Sequence, residues 1–125
     1  MSPGSVIVDS SIWIDHIHGG HAELTKLLKR NRVAMHPMVY GEIAMGSLKS
    51  RTTVLWELRK LPQALPVAHS EVTAMVEWFE LFNRGIGFVD AHLLASTRLI
   101  ENGSLLTRDK RLQAQAERLQ VAYQP

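Results

Sequence analysis

The sequence predicts an α/β fold in which a central parallel sheet is sandwiched between helices. Short β-branched runs alternate along the chain with longer amphipathic segments, and this is the order that parallel βαβ units require. The 125 residues contain no internal repeat, low-complexity segment or interdomain linker, so we expect a single domain over residues 1–125. A hydrophobic content of 46% is sufficient for a full core.

Strands are expected at five places. The first follows the N-terminus and is a β-branched run that ends at Asp9. The third is the weakest, because prolines surround it. In order, the five segments are residues 5–8, 32–36, 65–68, 104–107 and 120–123.

Helices are expected between these strands. Asp9 and the two serines that follow it are good N-cap residues for the first helix, and a pair of glycines ends it. Pro37 suits the first turn of the third helix. The longest helix, residues 69–84, carries Trp78, Phe79 and Phe82, which we expect in the core, with a protein-contact surface as the alternative. The predicted helices cover residues 12–18, 21–31, 37–48, 52–60, 69–84, 89 or 90 to 102, and 109–119.

Composition narrows the classes of protein and site. The chain has no cysteine, which excludes disulfides and thiolate metal sites and fits a reducing compartment. We find neither a signal peptide nor an apolar run long enough to span a bilayer, so we expect a cytoplasmic protein without membrane contacts. The net charge is only +2. If a metal neutralised four of the twelve acids, the 14 basic and 8 remaining acidic residues would leave +6, which suits a polyanionic substrate.

Four acidic residues occupy related places in this predicted fold. Asp9 ends the first strand, Asp109 follows the fourth, Asp90 opens a helix after a glycine turn, and Glu42 lies in the helix after the second strand. Ligands of open parallel sheets bind at the carboxyl ends of the strands, so we expect the four side chains to converge there. Taken singly, each has a structural alternative: Asp9 and Asp109 as helix N-caps only, and Glu42 as a solvated helix residue.

Convergence of these acids would require a cation. Two carboxylates ~4 Å apart repel by about 4 kcal/mol at an effective dielectric of ~20, which is large beside the total stability of a domain. Such a cluster must protonate, separate or bind a positive ion. All-oxygen ligands favour Mg²⁺, for which Mn²⁺ can substitute. Such an ion activates water and stabilises charge on phosphate, so the pattern predicts hydrolysis of a phosphodiester.

Four motifs in the chain also resemble those of a known family. They are Val-Asp-Ser-Ser-Ile-Trp-Ile-Asp at 8–15, Gly-Glu-Ile-Ala at 41–44, Gly-Phe-Val-Asp-Ala at 87–91 with Leu-Ala at 94–95, and Leu-Thr-Arg-Asp at 106–109. In this order and spacing the chain resembles the VapC toxins, the PIN-domain ribonucleases of bacterial toxin–antitoxin pairs. The resemblance extends from Val6 to about Ala122.

The resemblance implies a PIN-like three-layer sandwich with strand order 3-2-1-4-5, Mg²⁺-dependent endonucleolytic cleavage of RNA, a homodimer and inhibition by a VapB-type antitoxin. By matching motif positions, Asp9 and Asp90 would be the principal metal ligands, with Glu42 and Asp109 completing the site directly or through water. Ser10 and Thr107 match positions that usually hold a small hydroxyl residue, and we expect them to orient an acid or a water. All six residues are present in this chain.

One position departs from the pattern of the family. Many relatives carry a further acid two residues after the last one, where this chain has Arg111. The departure puts a second metal ion in doubt and suggests a phosphate-binding role for Arg111. We extend the same expectation of RNA contact to Arg108 and Lys110, the basic neighbours in sequence.

Other readings of the sequence remain open. A non-catalytic PIN-like module that binds RNA or protein would not require four concentrated acids. An aspartyl phosphotransferase would normally need a second acid two residues after Asp9, where the chain has Ser11. His16, His18 and His21 invite a transition-metal reading, but they span a helix end and match no zinc-site spacing.

Overall fold

Three parallel strands form the centre of the molecule in the computed structural model, which describes residues 3–125. They are β1 (Val6–Val8), β2 (Val33–Ala34) and β3 (Ser104–Leu106), in the order β2-β1-β3. Val6 pairs with Val33 on one side and Ser104 on the other. All three residues of β1 are buried, as expected for the central strand of a parallel sheet covered on both faces.

Single β-bridges extend the sheet at both edges. Met35 pairs in parallel with Gln63, and Leu105 pairs in parallel with Ala122. If these bridges are counted as strands, the five strands lie across the sheet in the predicted order 3-2-1-4-5, in which β1, β2 and β3 are strands 1, 2 and 4. The third strand nevertheless falls at Gln63 and not at residues 65–68, because Pro66 has no N–H with which to continue a ladder.

Helices flank this sheet. Within residues 3–125 there are seven: α1 (Ser10–Gly19), α2 (Ala22–Lys29), α3 (Pro37–Ala44), α4 (Arg51–Arg59), α5 (His69–Trp78), α6 (Phe88–Arg98) and α7 (Lys110–Arg118). This arrangement confirms the predicted α/β class. None of these helices is long and apolar enough to cross a bilayer.

Helix α5 is shorter than predicted. It ends at Trp78 and not near residue 84, because Glu80 adopts a left-handed conformation with φ +52°. The N–H of Leu81 then bonds to the carbonyl of Val76 at 2.8 Å, and Leu81 turns into the core. Trp78 and Phe82 are therefore exposed, so the prediction that they lie in the core was wrong.

Two other helices end earlier than predicted. Helix α3 stops at Ala44, where the N–H groups of Met45 and Gly46 close a tight last turn, and not at residue 48. Helix α6 stops at Arg98, and the left-handed residue Asn102 (φ +58°) completes the reversal into β3. Both segments form helices, as predicted, but shorter ones.

Candidate active site

Asp9 occupies the carboxyl end of the central strand. It is the N-cap of α1, and its Oδ1 accepts a hydrogen bond from the Ser10 N–H at 2.8 Å. Its Oδ2 accepts from the hydroxyl of Thr107 at 2.8 Å and from that of Ser11 at 3.4 Å. Only 8% of Asp9 is exposed, so these donors compensate for the loss of water around the carboxylate.

Ser11 was missed as a site residue in the sequence, where Ser10 was chosen for the supporting hydroxyl. Ser10 supplies a backbone N–H to Asp9, whereas the Ser11 hydroxyl reaches the carboxylate. The signal was available in the Asp-Ser-Ser run, because a hydroxyl two residues after a helix-capping acid can fold back onto it.

Thr107 links the ends of the two neighbouring strands β1 and β3. Its buried hydroxyl donates to Asp9 and also accepts the N–H of Asp109 at 3.1 Å. Asp109 in turn is the N-cap of α7, with Oδ1 accepting from the N–H groups of Arg111 (2.9 Å) and Leu112 (3.1 Å). One hydroxyl therefore sets the relative position of two predicted site acids.

Asp90 lies half-buried in the first turn of α6. Its Oδ2 accepts a hydrogen bond from the N–H of Gly87 at 3.1 Å. Burial raises the pKa of the Asp90 carboxyl, and the Gly87 hydrogen bond opposes that rise. The negative charges of Asp9, Asp109 and Glu42 raise this pKa further, so all four predicted acids are near enough to interact electrostatically.

Glu42 reaches the site from α3. Its helix neighbour Ile43 is buried, whereas Glu42 itself is exposed. No group of three acidic or histidine side chains among residues 3–125 is arranged to hold an ion. The oxygen-only donor set of the four acids suits a hard ion such as Mg²⁺.

Basic side chains stand beside the acids. Arg108 forms an ion pair with Asp15 at 3.0 Å. Arg111 lies over Gly85, where a Cβ would come within 2.5 Å of the arginine Cδ. Arg111 and Lys110 are both exposed at the N-terminus of α7, an unfavourable place for cations in a helix dipole.

Comparison with known proteins identifies the family and the fold. A family model described as PIN domain matches residues 6–118. The chain is 44% identical over 109 residues to Ribonuclease VapC32 of Mycobacterium tuberculosis, in strain CDC 1551 / Oshkosh and in strain ATCC 25618 / H37Rv, covering 87% of this chain and 88% of each relative. The crystal structure of PAE2754 from Pyrobaculum aerophilum is similar in fold, with a TM-score of 0.63 and 18% identity over 91% of this chain and 81% of that one.

Proposed function

This chain belongs to the PIN-domain family, in its VapC branch, and from that premise we propose that it is a magnesium-dependent endoribonuclease. The observation that carries the proposal is the link between two of the four acids at the carboxyl ends of β1 and β3, where the Thr107 hydroxyl donates to Asp9 and accepts the N–H of Asp109. The pKa of the half-buried Asp90 is raised first by burial and then by the charges of Asp9, Asp109 and Glu42. The relatives named Ribonuclease VapC32 support RNA as the substrate.

In this proposal Asp9 and Asp90 are the principal ligands of Mg²⁺, and Glu42 and Asp109 complete the site. When bound, Mg²⁺ or Mn²⁺ supplies an activated water and stabilises negative charge on the phosphate. Thr107 holds Asp9 through its hydrogen bond of 2.8 Å, so that one ligand is oriented before the ion arrives. Lys110 and Arg111 lie at the same edge and attract the RNA backbone.

We further propose that the protein is the toxin of a toxin–antitoxin pair, acts in the cytoplasm, forms a homodimer and is held inactive by a VapB-type antitoxin. Several large apolar side chains are exposed and available for protein contacts. They include Met45, Trp56, Leu65, Trp78 and Leu99. Sedimentation of the chain alone, and with its antitoxin, tests both assemblies.

The proposed activity is tested by comparing wild type with Asp90→Asn. We expect wild type to generate new RNA ends in cells and in vitro, and Asp90→Asn to reduce cleavage at least ~100-fold, because a catalytic metal contributes several kcal/mol. Sequencing of RNA ends after expression of each variant measures this. Glu57→Gln is the matched control, because Glu57 is an exposed acid paired with Lys60 on α4.

Metal binding is tested separately by thermal unfolding. At 100 times its dissociation constant, Mg²⁺ should stabilise wild type by about 2.7 kcal/mol and should have little effect on Asp90→Asn. Without metal, Asp90→Asn should be as stable as wild type or more stable, because one repelling charge is gone. Wild type that cuts RNA equally well in excess EDTA would refute the mechanism.

A further inference from the structure

An open cavity of about 400 Å³ lies beside the acidic site and has no part in the chemistry described so far. We call it the histidine cavity. It is lined by His36, Pro37 and Met38 at the start of α3, by residues 66–69, and by His92 of α6. Its volume is within the range of ligand pockets. Because His36 lies two residues beyond the end of β2, the cavity is on the side of the sheet where the strands have their carboxyl ends.

The two helices that line the cavity also carry site acids. Met38 precedes Glu42 by four residues on α3, which is about 6 Å along the helix axis. On α6, His92 follows Asp90 by two residues. Residues two apart on a helix face in different directions, whereas residues four apart share a face, so α3 is the helix that connects the acids to the cavity. A molecule bound at Glu42 can therefore place its next unit at the mouth of the cavity on the α3 side.

The lining favours an uncharged group. Burial lowers the pKa of His36 to about 4, with a smaller effect from His92. The His36 ring is therefore neutral at neutral pH. His36 is also fully engaged, with Nδ1 accepting from the Met38 N–H at 3.0 Å and Nε2 bonded to the Ser96 hydroxyl at 2.9 Å. Apart from the histidines, the lining residues are apolar, which suits a flat aromatic ring better than a phosphate.

His69 supplies a polar group to this lining. Its Nδ1 is 2.7 Å from Nε2 of His92. Nδ1 of His92 is buried without a partner among residues 3–125, and a buried lone pair without a partner costs less than a buried N–H without one. We therefore assign the proton of the shared bond to Nε2 of His92. Because Nδ1 of His69 is then the acceptor, Nε2 of the same ring carries the proton and offers a donor from an exposed position.

Phe88 extends the aromatic surface formed by His69 and His92. Its ring centroid is 4.8 Å from that of His92 and 5.7 Å from that of His69. Phe88 is 46% exposed and precedes Asp90 by two residues. Partly exposed aromatic rings beside a nucleic-acid site are typical platforms for unpaired bases.

We propose that the histidine cavity binds one unpaired nucleobase of the RNA, next to the phosphodiester cut at the acidic site, with His69 donating a hydrogen bond to an acceptor on the base. This inference rests on the proposed function and adds to it a specificity pocket for single-stranded RNA. Base stacking in such pockets is worth about 1–3 kcal/mol per base, so a filled cavity should weaken RNA binding by about fivefold or more.

The test fills the cavity with Ala68→Trp and removes the donor with His69→Ala. Each variant cleaves randomised single-stranded RNA with Mg²⁺, and the ends are sequenced. We expect wild type to prefer one base at a fixed position near the cut, Ala68→Trp to lose that preference alone, and His69→Ala to reduce it. Ala22→Trp is the matched control, because Ala22 is exposed and lies outside the cavity.

A binding measurement covers the case in which Ala68→Trp no longer cuts. RNA hexamers with an abasic nucleotide at the preferred position are titrated in Ca²⁺ in place of Mg²⁺. Loss of the base should weaken binding to wild type at least ~fivefold and leave binding to Ala68→Trp unchanged. Cleavage by Ala68→Trp with the wild-type base preference, or equal binding of abasic and intact RNA by wild type, overturns the cavity alone. Absence of any cleavage by wild type overturns the proposed function.

Discussion

The acidic site and the histidine cavity lie side by side at the carboxyl edge of the sheet and share α3 and α6, yet burial acts on them in opposite ways. It raises the pKa of Asp90 and lowers that of His36 to about 4, because removal from water disfavours the charged form of either group. His36 thereby becomes neutral. Asp90 keeps three like charges around it, and none of the four acids forms an ion pair within residues 3–125.

The two regions therefore differ in the charge of their ionisable groups more than in their position. The histidine cavity has no unbalanced charge in its lining and therefore suits a neutral ligand. The acidic site carries a negative charge that a cation from outside can neutralise. Two neighbouring regions can therefore bind different parts of one polyanionic molecule, the first a base and the second a phosphate with its metal.

The largest expected effect is that of pH on the difference in stability between wild type and His36→Asn. A histidine whose pKa is lower in the folded state contributes stability above its unfolded value of 6.5, and that stability is lost as pH falls toward about 4. Each unit of difference in pKa corresponds to about 1.36 kcal/mol, so the free energy of unfolding should fall by about 3 kcal/mol. Asparagine keeps the N-cap of α3 but does not titrate, so the stability advantage of wild type should shrink between pH 7.5 and 4.5.

Urea unfolding at the two pH values measures this change. His18→Asn is the control, because His18 is exposed at the end of α1. An advantage of wild type over His36→Asn that is the same at both pH values would contradict the assignment of His36 as a buried neutral ring. The Asp90 carboxyl acts in the reverse direction: because its folded pKa is raised, it contributes stability at low pH that is lost as pH rises through the folded value.

An intermediate effect is expected at the acidic side from Thr107→Val. The change removes the donor to Asp9 and the acceptor for the Asp109 N–H while keeping a similar volume. A hydrogen bond to a charged group is worth about 1.5–3 kcal/mol, so we expect cleavage to fall about tenfold or more, with a higher Mg²⁺ requirement. Metal titrations of cleavage measure both. Thr107→Ser keeps the hydroxyl and should recover most of the activity, whereas an unchanged Mg²⁺ dependence in Thr107→Val would exclude a positioning role.

The smallest effect is expected from Arg111→Ala. This variant tests whether the Arg111 side chain, which lies beside the loop before α6, contacts RNA. We expect a rise of the RNA KM of about two- to fivefold, an unchanged kcat, and a salt dependence of binding lowered by about one unit of slope. Lys29→Ala, an exposed cation of α2, is the control. Unchanged RNA affinity and cleavage would reject the role of Arg111.

The acids were predictable because their positions follow from chain order. Asp9 comes directly after β1 and Asp109 lies three residues after the end of β3, and parallel strands bring such ends together at one edge. The early end of α5 was not predictable, because Glu80 adopts a left-handed conformation without a glycine or asparagine to signal it. The outer strands are single bridges at Gln63 and Ala122, too short to leave a periodic pattern.

The histidine cavity was not predictable from spacing. His36, His69 and His92 lie at α3, α5 and α6 and are far apart in sequence. The histidines that are close in sequence are those at residues 16–21. There, the backbone N–H of residue 21 donates to a neighbouring imidazole at 3.2 Å, and the ring of residue 21 accepts from the first turn of α2. Tertiary packing, and not local sequence, places the other three together.

The buried bond between His36 and Ser96 at 2.9 Å ties the beginning of α3 to the middle of α6. These are the helices that bear Glu42 and Asp90. Mobile ions weaken forces between exposed charges over about 10 Å at 0.1 M ionic strength, but they do not reach an uncharged pair inside the protein. The spacing of the two helices should therefore be the same in dilute buffer and in concentrated salt, even though the repulsion between the carboxylates they carry is not.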